Sequence, residues 1–265
     1  MRTVLILPAL MLALSACAQP PMTDPTPTRK APLTVEIWSD VACPFCYIGK
    51  REFERALERF PHRDSVQVVW KSFELAPDAP ARLGQDTYTM LAQKYGMSRE
   101  EAVQRVSGVA ERGRSVGIPF NFDAVVNGNT FDAHRLIQLA KQHGKGDAAE
   151  ERLFKAYFEE GAALADHATL KQLANDIGLD PKDVDTLLAG TELSDAVRMD
   201  EYEAQQFGIR GVPFFAIDRK YGISGAQSAE HFLGALEQAW KERPVPEAAN
   251  APACEPGKAD CLPGQ

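Results

Sequence analysis

Cys43 and Cys46 are separated by Pro44 and Phe45, and two cysteines at this spacing can carry out thiol–disulfide exchange. At the start of a helix, the first sulfur lies beside free backbone N–H groups at the positive end of the helix dipole, which favours a thiolate. The second cysteine, one turn further on, can attack the mixed disulfide that the first one forms. We therefore predict that Cys43 is the nucleophile and that Cys46 is the resolving thiol. Pro44 fits this placement, because its missing N–H has no partner in the first turn of a helix.

A structural zinc site and a purely structural disulfide are the alternatives for this cysteine pair. A zinc site needs two more ligands with a second close spacing. The other close pair, Cys254 and Cys261, lies more than 200 residues further along the chain. The five histidines show neither i, i+4 spacing nor an HExxH motif, and we predict no metal site.

A proline directly ahead of a β-rich segment, in Val212-Pro213-Phe214, is the second feature of chemical interest. Proline disturbs strand pairing unless it lies at an edge or in a special turn, such as one with a cis bond. A cis Val212–Pro213 bond would expose the Val212 backbone, so that an extended substrate could pair with it as an added strand. An ordinary trans turn is the alternative.

The residues around Cys43 predict a strand, a helix and a second strand. Residues 33–38 alternate in polarity, residues 43–60 repeat apolar positions at helical spacing, and residues 66–73 are again β-rich. Such a unit places its two strands in parallel and puts the cysteines at its first turn.

Helical periodicity then dominates until strand character returns near the C-terminus. Residues 83–207 predict an inserted helical domain, punctuated by Gly, Asp and Pro. The elements predicted after it are a strand at 212–217, a turn at 218–222 and a helix at 228–240. A sheet built from residues 33–82 and 208–243 predicts the α/β class and a thioredoxin-like fold with a large helical insertion.

The composition predicts a folded protein that does not bind nucleic acid. Hydrophobic residues make up 45% of the 265 residues, which suffices for a sizeable core. The formal net charge is -8 and no basic stripe is present, so nucleic acid has no electrostatic reason to bind.

Residues 1–17 predict an export signal. Met1-Arg2 is followed by a short apolar run, Thr3–Leu14, which is too brief to span a bilayer as a mature helix. Leu14-Ser15-Ala16-Cys17 resembles a bacterial lipobox, in which the thiol of Cys17 receives a lipid. We predict a lipoprotein on the periplasmic side whose one contact with the membrane is its lipid anchor. Cleavage by an ordinary signal peptidase with soluble periplasmic release, and retention of the signal as an anchor, are the alternatives.

Proline-rich segments flank the predicted folded region. Residues 18–32 contain five prolines and predict an extended tether. Residues 244–265 are rich in Pro, Ala and Gly and predict a tail without regular structure, which carries Cys254 and Cys261. Of the five cysteines, one then serves lipidation, two the active site and two the tail.

The stretch Val35–Gly49, VEIWSDVACPFCYIG, resembles the active-site stretch of DsbA-like oxidoreductases of the FrnE type. Further similar segments are Asn129-Thr130, Ala133-His134-Arg135, GIRGVP at 208–213 and YGISGAQ at 221–227. The resemblance covers residues 33–240. It implies a thioredoxin domain with a helical insertion, redox-active cysteines at Cys43 and Cys46, and a cis-proline at Pro213 whose turn faces them.

The resemblance also implies partners and a second redox pair. It implies cysteine-containing protein substrates and a redox partner protein, with no cofactor beyond the redox-active disulfide. Members of the FrnE type can carry a second cysteine pair near the C-terminus, which would here be Cys254 and Cys261. The six residues between these cysteines exceed the spacing of the short form of that pair, so an auxiliary redox pair and a passive disulfide both remain. Oxidase, reductase and isomerase share the main pair, and the sequence does not fix the direction of electron flow.

Two rival functions use the same features differently. Kappa-class glutathione transferases and 2-hydroxychromene-2-carboxylate isomerases are related to this family, typically carry Ser at the active position and use glutathione. A transferase needs no resolving cysteine, so Cys46 favours a dithiol enzyme with glutathione at most as a co-substrate. The non-enzymatic alternative is a lipoprotein whose cysteines bind metal or stiffen the fold.

Three polar residues near these motifs have more than one interpretation. Glu36 is either a buried acid that handles protons or a solvated strand residue, and the period of two along the strand favours the solvated one. Asp40 is nearer to Cys43, where a carboxylate would disfavour the thiolate. His134 lies in an amphipathic helix and is assigned to packing or capping rather than to catalysis.

Overall fold

A four-stranded sheet is built from the two ends of the described chain, as the sequence predicts. The computed structural model describes residues 32–243. The strands are β1 (Leu33–Ser39), β2 (Val66–Ser72), β3 (Phe214–Ile217) and β4 (Tyr221–Ser224). Their order is β2-β1-β3-β4, with β2 parallel to β1 and with β3 antiparallel to both β1 and β4. The strand that leads into the cysteines therefore lies inside the sheet, with a hydrogen-bonded neighbour on each side.

Helix α1 (Pro44–Arg59) carries the cysteine pair and packs against the last helix of the described chain, α9 (Ala229–Lys241). Three buried phenylalanine rings join these helices to the sheet. The ring centroid of Phe53 on α1 lies 5.5 Å from that of Phe215 on β3 and 5.6 Å from that of Phe232 on α9. The Phe215 and Phe232 centroids are 4.5 Å apart. This aromatic packing fixes α1 against the sheet and α9, and so fixes the position of the cysteines at its start.

Replacing Phe232 with Ala is expected to lower the free energy of unfolding by about 3–5 kcal/mol, because the ring is fully buried and its removal leaves a cavity. Urea unfolding followed by circular dichroism measures the change. Met199, which is 58% exposed, supplies the control, since Met199→Ala should change stability by less than about 0.5 kcal/mol. Similar losses in the two variants would contradict this account of the packing.

Within the described residues, seven helices lie between β2 and β3. They are α2 (Thr87–Tyr95), α3 (Arg99–Ser115), α4 (Phe131–Gln142), α5 (Gly146–Phe158), α6 (His167–Asp176), α7 (Pro181–Ala189) and α8 (Ser194–Gln206). Several begin at side-chain caps that the sequence makes visible. Ser98 and Glu101 form a reciprocal capping box at the start of α3, and Asp86, Asp166 and Asp180 cap α2, α6 and α7. All seven helices lie within residues 83–207, where helical periodicity in the sequence predicts helices.

Helix α8 covers one face of the sheet, although the sequence assigned its residues to the insertion. Successive strand side chains point to opposite faces, so Ile37 packs in the core that contains α1 while Trp38 packs against Ala204 of α8. The indole N–H of Trp38 donates to the Asp200 carbonyl at 2.9 Å, and the Asp200 carboxylate accepts the backbone N–H of Ser72 at 3.0 Å. Both faces of the central strand are therefore buried.

Several predictions from the sequence concern residues outside the described range. They are the signal at 1–17, most of the tether at 18–32, the tail at 244–265, and the individual residues Cys17, Cys254 and Cys261. Within residues 32–243, no helix combines the length and the apolar character that crossing a membrane requires.

Candidate active site

Cys43 is the N-cap residue of helix α1 and directly precedes Pro44, the first residue of the helix. Strand β1 ends at Ser39, and the Asp40 carbonyl accepts the backbone N–H of Cys43 at 2.9 Å, which closes a tight turn. The Cys43 carbonyl accepts the N–H of Cys46 at 3.0 Å, and Pro44 occupies the first turn of the helix. The two cysteines thus lie at a strand–helix turn, where the sequence predicts them.

The Val212–Pro213 turn lies against the sulfur of Cys43, although 169 residues separate Val212 from Cys43 in sequence. The Val212–Pro213 peptide bond is cis. The Cys43 thiol donates a hydrogen bond to the Val212 carbonyl, with 3.5 Å between sulfur and oxygen. Gly49 on α1 permits this approach, since a Cβ at that position would lie 3.1 Å from Pro213 Cγ. Two features that the sequence identified in separate segments therefore form one site.

Cys46 and Cys43 are both buried, at 1% and 4% exposed. Burial raises the pKa of the Cys46 thiol well above its ordinary value, and the hydrogen bond and charge of Cys43 raise it further. Both cysteines are free thiols in the structure. Cys46 therefore holds its proton at neutral pH and must release it at the moment when it acts as a nucleophile.

A buried ion pair lies behind the turn that holds the cysteines. The Asp40 carboxylate accepts the backbone N–H groups of Ala42 (3.1 Å) and Leu75 (2.7 Å) and lies 3.5 Å from His134 Nε2. Burial would raise the pKa of Asp40, but His134 and the two amides outweigh it and hold that pKa below its ordinary value. Burial would lower the pKa of His134, but the Asp40 carboxylate raises it overall. His134 is thus buried in α4, in agreement with the packing role that the sequence predicts, and is in addition the partner of a buried carboxylate.

Glu150 on α5 adjoins this pair and carries the opposite shift from Asp40. It is 1% exposed, and burial raises its pKa to about 8, although the charges of His134 and Lys50 oppose that rise. The carboxylates of Asp147 and Asp40 add to it. Glu150 is therefore mainly an uncharged acid at neutral pH, next to a histidine whose pKa is raised.

The wild-type protein is expected to become less stable as the pH rises. Glu150→Gln should not show the part of this decrease that Glu150 causes. The Glu150 carboxyl group keeps its proton up to about pH 8 in the folded state and loses it near its ordinary pKa of 4.5 in the unfolded state. The folded state binds more protons in this window, so the free energy of unfolding falls with rising pH, by up to about 1.4 kcal/mol per pH unit. Urea unfolding of both proteins at about pH 5 and about pH 8 compares the slopes. Identical slopes in the two proteins would refute the assignment of a protonated Glu150.

An apolar cavity of about 650 Å³ adjoins Cys43. Cys43 and the 38% exposed Phe45 line it, and helices α2 and α3 supply much of the remaining wall. The α3 side chains of Ala102, Val106 and Val109 face it with the spacing of one helical face. The sequence shows this spacing but not that the face lies beside the cysteines, and the cavity was not predicted.

Glu36 is buried and paired, contrary to the solvated role that strand periodicity favours. It is 6% exposed, and its two carboxylate oxygens each accept from Arg219 at 2.6 Å. The ammonium group of Lys71 lies 3.9 Å from it. Glu36 shares the strand face of Trp38, which α8 covers, so its charge is neutralised on the side of the sheet away from α1.

A family model for the DsbA-like thioredoxin domain matches residues 34–237, which is more than half of the chain. The chain belongs to the DsbA-like thioredoxin family. The α/β class and the thioredoxin-like fold with a helical insertion, both predicted from the sequence, are thereby confirmed.

Three proteins illustrate what this DsbA-like chain is similar to. A probable DsbA oxidoreductase from Streptomyces coelicolor is 44% identical with a TM-score of 0.78, and the match covers 88% of this chain and 100% of that one. The uncharacterized protein YwbO from Bacillus subtilis (strain 168) is 28% identical over 211 residues, which are 79% of this chain and 98% of that protein. The cytosolic disulfide reductase DsbM from Pseudomonas aeruginosa, solved with GSH, is 17% identical with a TM-score of 0.56 and matches 79% of this chain and 100% of its own. The last likeness shows the fold alone.

The DsbA-like site combines one sulfur beside a backbone carbonyl with a second sulfur one helical turn further inside. Two thiols in this order can make and break a disulfide by two successive attacks. Among residues 32–243, no group of three or more His, Cys, Asp or Glu side chains is arranged to hold a metal ion.

Proposed function

We propose that this chain is an exported protein thiol–disulfide oxidoreductase that exchanges disulfides through Cys43 and Cys46. The observation that carries the proposal is the position of the Cys43 sulfur, 3.5 Å from the Val212 carbonyl, with Cys46 buried behind it. Both cysteines are buried, but Cys43 lies beside a backbone segment that an extended polypeptide can join and it lines the apolar cavity, which Cys46 does not. Membership of the DsbA-like family supports the same chemistry.

In the oxidising direction, a substrate thiolate attacks the Cys43 sulfur of the Cys43–Cys46 disulfide. That S–S bond breaks, Cys46 leaves with the electron pair and takes up a proton, and a mixed disulfide joins Cys43 to the substrate. A second substrate thiolate attacks the substrate sulfur of this mixed disulfide, and Cys43 leaves as a thiolate. The substrate is oxidised to a disulfide and the enzyme pair is reduced to the dithiol. Burial raises the pKa of Cys46, which makes its thiolate a poor leaving group, so Cys46 must take up a proton as this S–S bond breaks.

The residues around the sulfurs act as positioning groups in this proposal. Pro213 fixes the turn that presents the Val212 carbonyl to Cys43. Pro44 starts the helix that separates the two sulfurs by one turn, and Phe45 lies partly exposed between them, where a substrate chain would pass.

The proposed location rests on the N-terminal segment, and lipidation of Cys17 is its testable part. Cys17→Ala is expected to abolish incorporation of radioactive palmitate in a bacterial host and to move the protein from the membrane to another fraction. Wild-type protein that takes up no label, while it is still cleaved and exported, would favour soluble release into the periplasm instead.

The tail cysteines enter the proposal as an auxiliary redox pair that exchanges with the main pair, which the family resemblance and the cysteine count support. Replacing both Cys254 and Cys261 with Ser should then alter turnover and the redox titration. Unchanged values for both would leave the tail pair as a passive disulfide.

A redox titration tests the central proposal. The Cys43–Cys46 pair is equilibrated with glutathione buffers in a variant without the tail cysteines, and alkylation measures its thiol content. A potential near about -120 mV would make the pair a donor of disulfides, and one near about -270 mV would make it a reductase fed by another protein. Glutathione serves as the buffer here and is at most a co-substrate in the proposal. A pair without a reversible two-electron transition would overturn the proposal.

A further inference from the structure

The cavity beside Cys43 has apolar walls. Leu83, Met90, Phe122, Val125 and Phe158 are among the side chains that line it. At about 650 Å³ it has the size of sites that hold a substantial apolar ligand. Binding to these walls is favourable only when an apolar group replaces the water inside the cavity, and the body of glutathione is polar. A polypeptide segment with apolar side chains next to its cysteine matches these walls better.

In the described part of the chain, three cations without acidic partners line the cavity. Lys94, Arg105 and Arg112 line it, and Asp40 is the one carboxylate that does so. Asp40 is buried and already engaged by two backbone amides and by His134. Within residues 32–243, Lys94 contacts the ring of Tyr95 and makes no ion pair, and Arg105 has no hydrogen bond or ion pair.

This pattern contrasts with the chain as a whole, whose formal net charge is -8. None of the three acidic residues on α3 lines the cavity: Glu101 caps the helix with Ser98, Glu111 lies 3.9 Å from Arg114, and Glu100 is exposed in the first turn. Arg112 also donates to the Ala226 carbonyl and lies over the ring of Phe45, beside the cysteines. Exposed cations at the mouth of an apolar cavity attract a ligand that carries both apolar and negative groups.

We propose that the preferred substrates are polypeptide segments in which the reacting cysteine is flanked by an apolar residue and by an acidic residue. The apolar side chain enters the cavity while the substrate sulfur reaches Cys43, and the carboxylate lies near Lys94 and Arg105. This inference rests on the proposed function and names the substrate class of that same site.

Four single-cysteine peptides test the inference, with Leu or Ser on one side of the cysteine and Glu or Lys on the other. Each peptide thiolate attacks the oxidised enzyme, forms an S–S bond with Cys43 and breaks the Cys43–Cys46 bond, and stopped-flow measurement gives the second-order rate constant. We expect the Leu/Glu peptide to react at least about 10-fold faster than the Ser/Lys peptide. The second quantity is the rate constant of a Glu-containing peptide divided by that of the matching Lys-containing peptide. In a variant with both Lys94→Gln and Arg105→Gln, this ratio should fall by about 3- to 5-fold or more. Arg114→Gln, which removes an exposed cation that does not line the cavity, should keep the wild-type ratio.

Dithiothreitol separates failure of this inference from failure of the proposed function. If dithiothreitol reduces the Cys43–Cys46 pair readily while all four peptides react at the same rate, the substrate preference is refuted and the oxidoreductase stands. If glutathione reacts faster than the Leu/Glu peptide, the cavity serves a small polar thiol and the inference is again refuted. If no thiol forms a mixed disulfide with Cys43, the proposed function fails and the substrate class fails with it.

Discussion

Replacing Cys46 with Ser is expected to turn a transient mixed disulfide into a stable one. Cys43 can still attack a substrate disulfide, but no second thiol lies one turn away to release the product. Because an adjacent nucleophile outcompetes one in solution by many orders of magnitude, the mixed disulfide should accumulate roughly 100-fold or more above the wild-type level. The reduced variant is mixed with a disulfide-containing protein, quenched with acid, and the covalent complex is measured by intact mass without reductant.

Cys43→Ser supplies the matched control for this trapping experiment. Both variants also carry Ser at 254 and 261, so that the tail cysteines cannot react. Of the main pair, Cys43→Ser then leaves Cys46, which is 1% exposed and whose pKa is raised by burial, so it reacts slowly with any external disulfide. Exchange should fall by on the order of 1000-fold, and little complex should form. A complex that forms equally well in both variants would contradict the assigned order, in which Cys43 attacks first.

Asp40→Ala is expected to lower the free energy of unfolding by about 3–5 kcal/mol, because it leaves one partner of a buried ion pair alone. The substitution removes the acceptor of the Ala42 and Leu75 backbone N–H groups and the counter-charge of His134. Urea unfolding near pH 6 measures the loss, since the folded protein carries both charges there.

The more conservative Asp40→Asn variant tests whether charge or shape causes that loss. The pKa of Asp40 is lowered on folding, so its contribution is fully present above the ordinary value of 3.8 and is lost as the pH falls through the folded pKa. The pKa of His134 is raised, so its contribution is fully present below the ordinary value of 6.5 and is lost as the pH rises through the folded pKa. The stability difference between wild type and Asp40→Asn should therefore be largest between these two values. A difference that stays constant with pH would show that the variant loses shape rather than charge.

The sequence predicts the elements around Cys43 well because local periodicity determines them. A strand, a helix that begins at Pro44 and a second strand follow from alternation, helical spacing and the position of one proline. The Val212–Pro213 turn is found in the same way, because a proline ahead of a strand is a local anomaly. These features need no knowledge of how distant segments meet.

The parts of the site that the sequence did not reveal depend on contacts between distant segments. The buried cluster is an example: Asp40 follows β1, His134 is on α4 and Glu150 is on α5. No spacing pattern in the sequence links residues on three separate elements. The cavity depends in the same way on where α2 and α3 lie relative to Cys43. Glu36 was misjudged because alternation identifies its strand face but cannot show that α8 covers that face.

Because β1 pairs with β3, the site can form only after β3 has been synthesised. Strand β1 and the cysteines are synthesised early, whereas β3, which pairs with β1 through Val35 and Ile217, and the Val212 carbonyl follow well over 100 residues later. Contacts this far apart in sequence form late, since the intervening chain must first be made and closed into a loop. A nascent or truncated chain that ends before Val212 therefore carries both reactive thiols but not the surface that governs which sulfur they meet. Such a chain can form disulfides before the turn that positions a partner beside Cys43 exists.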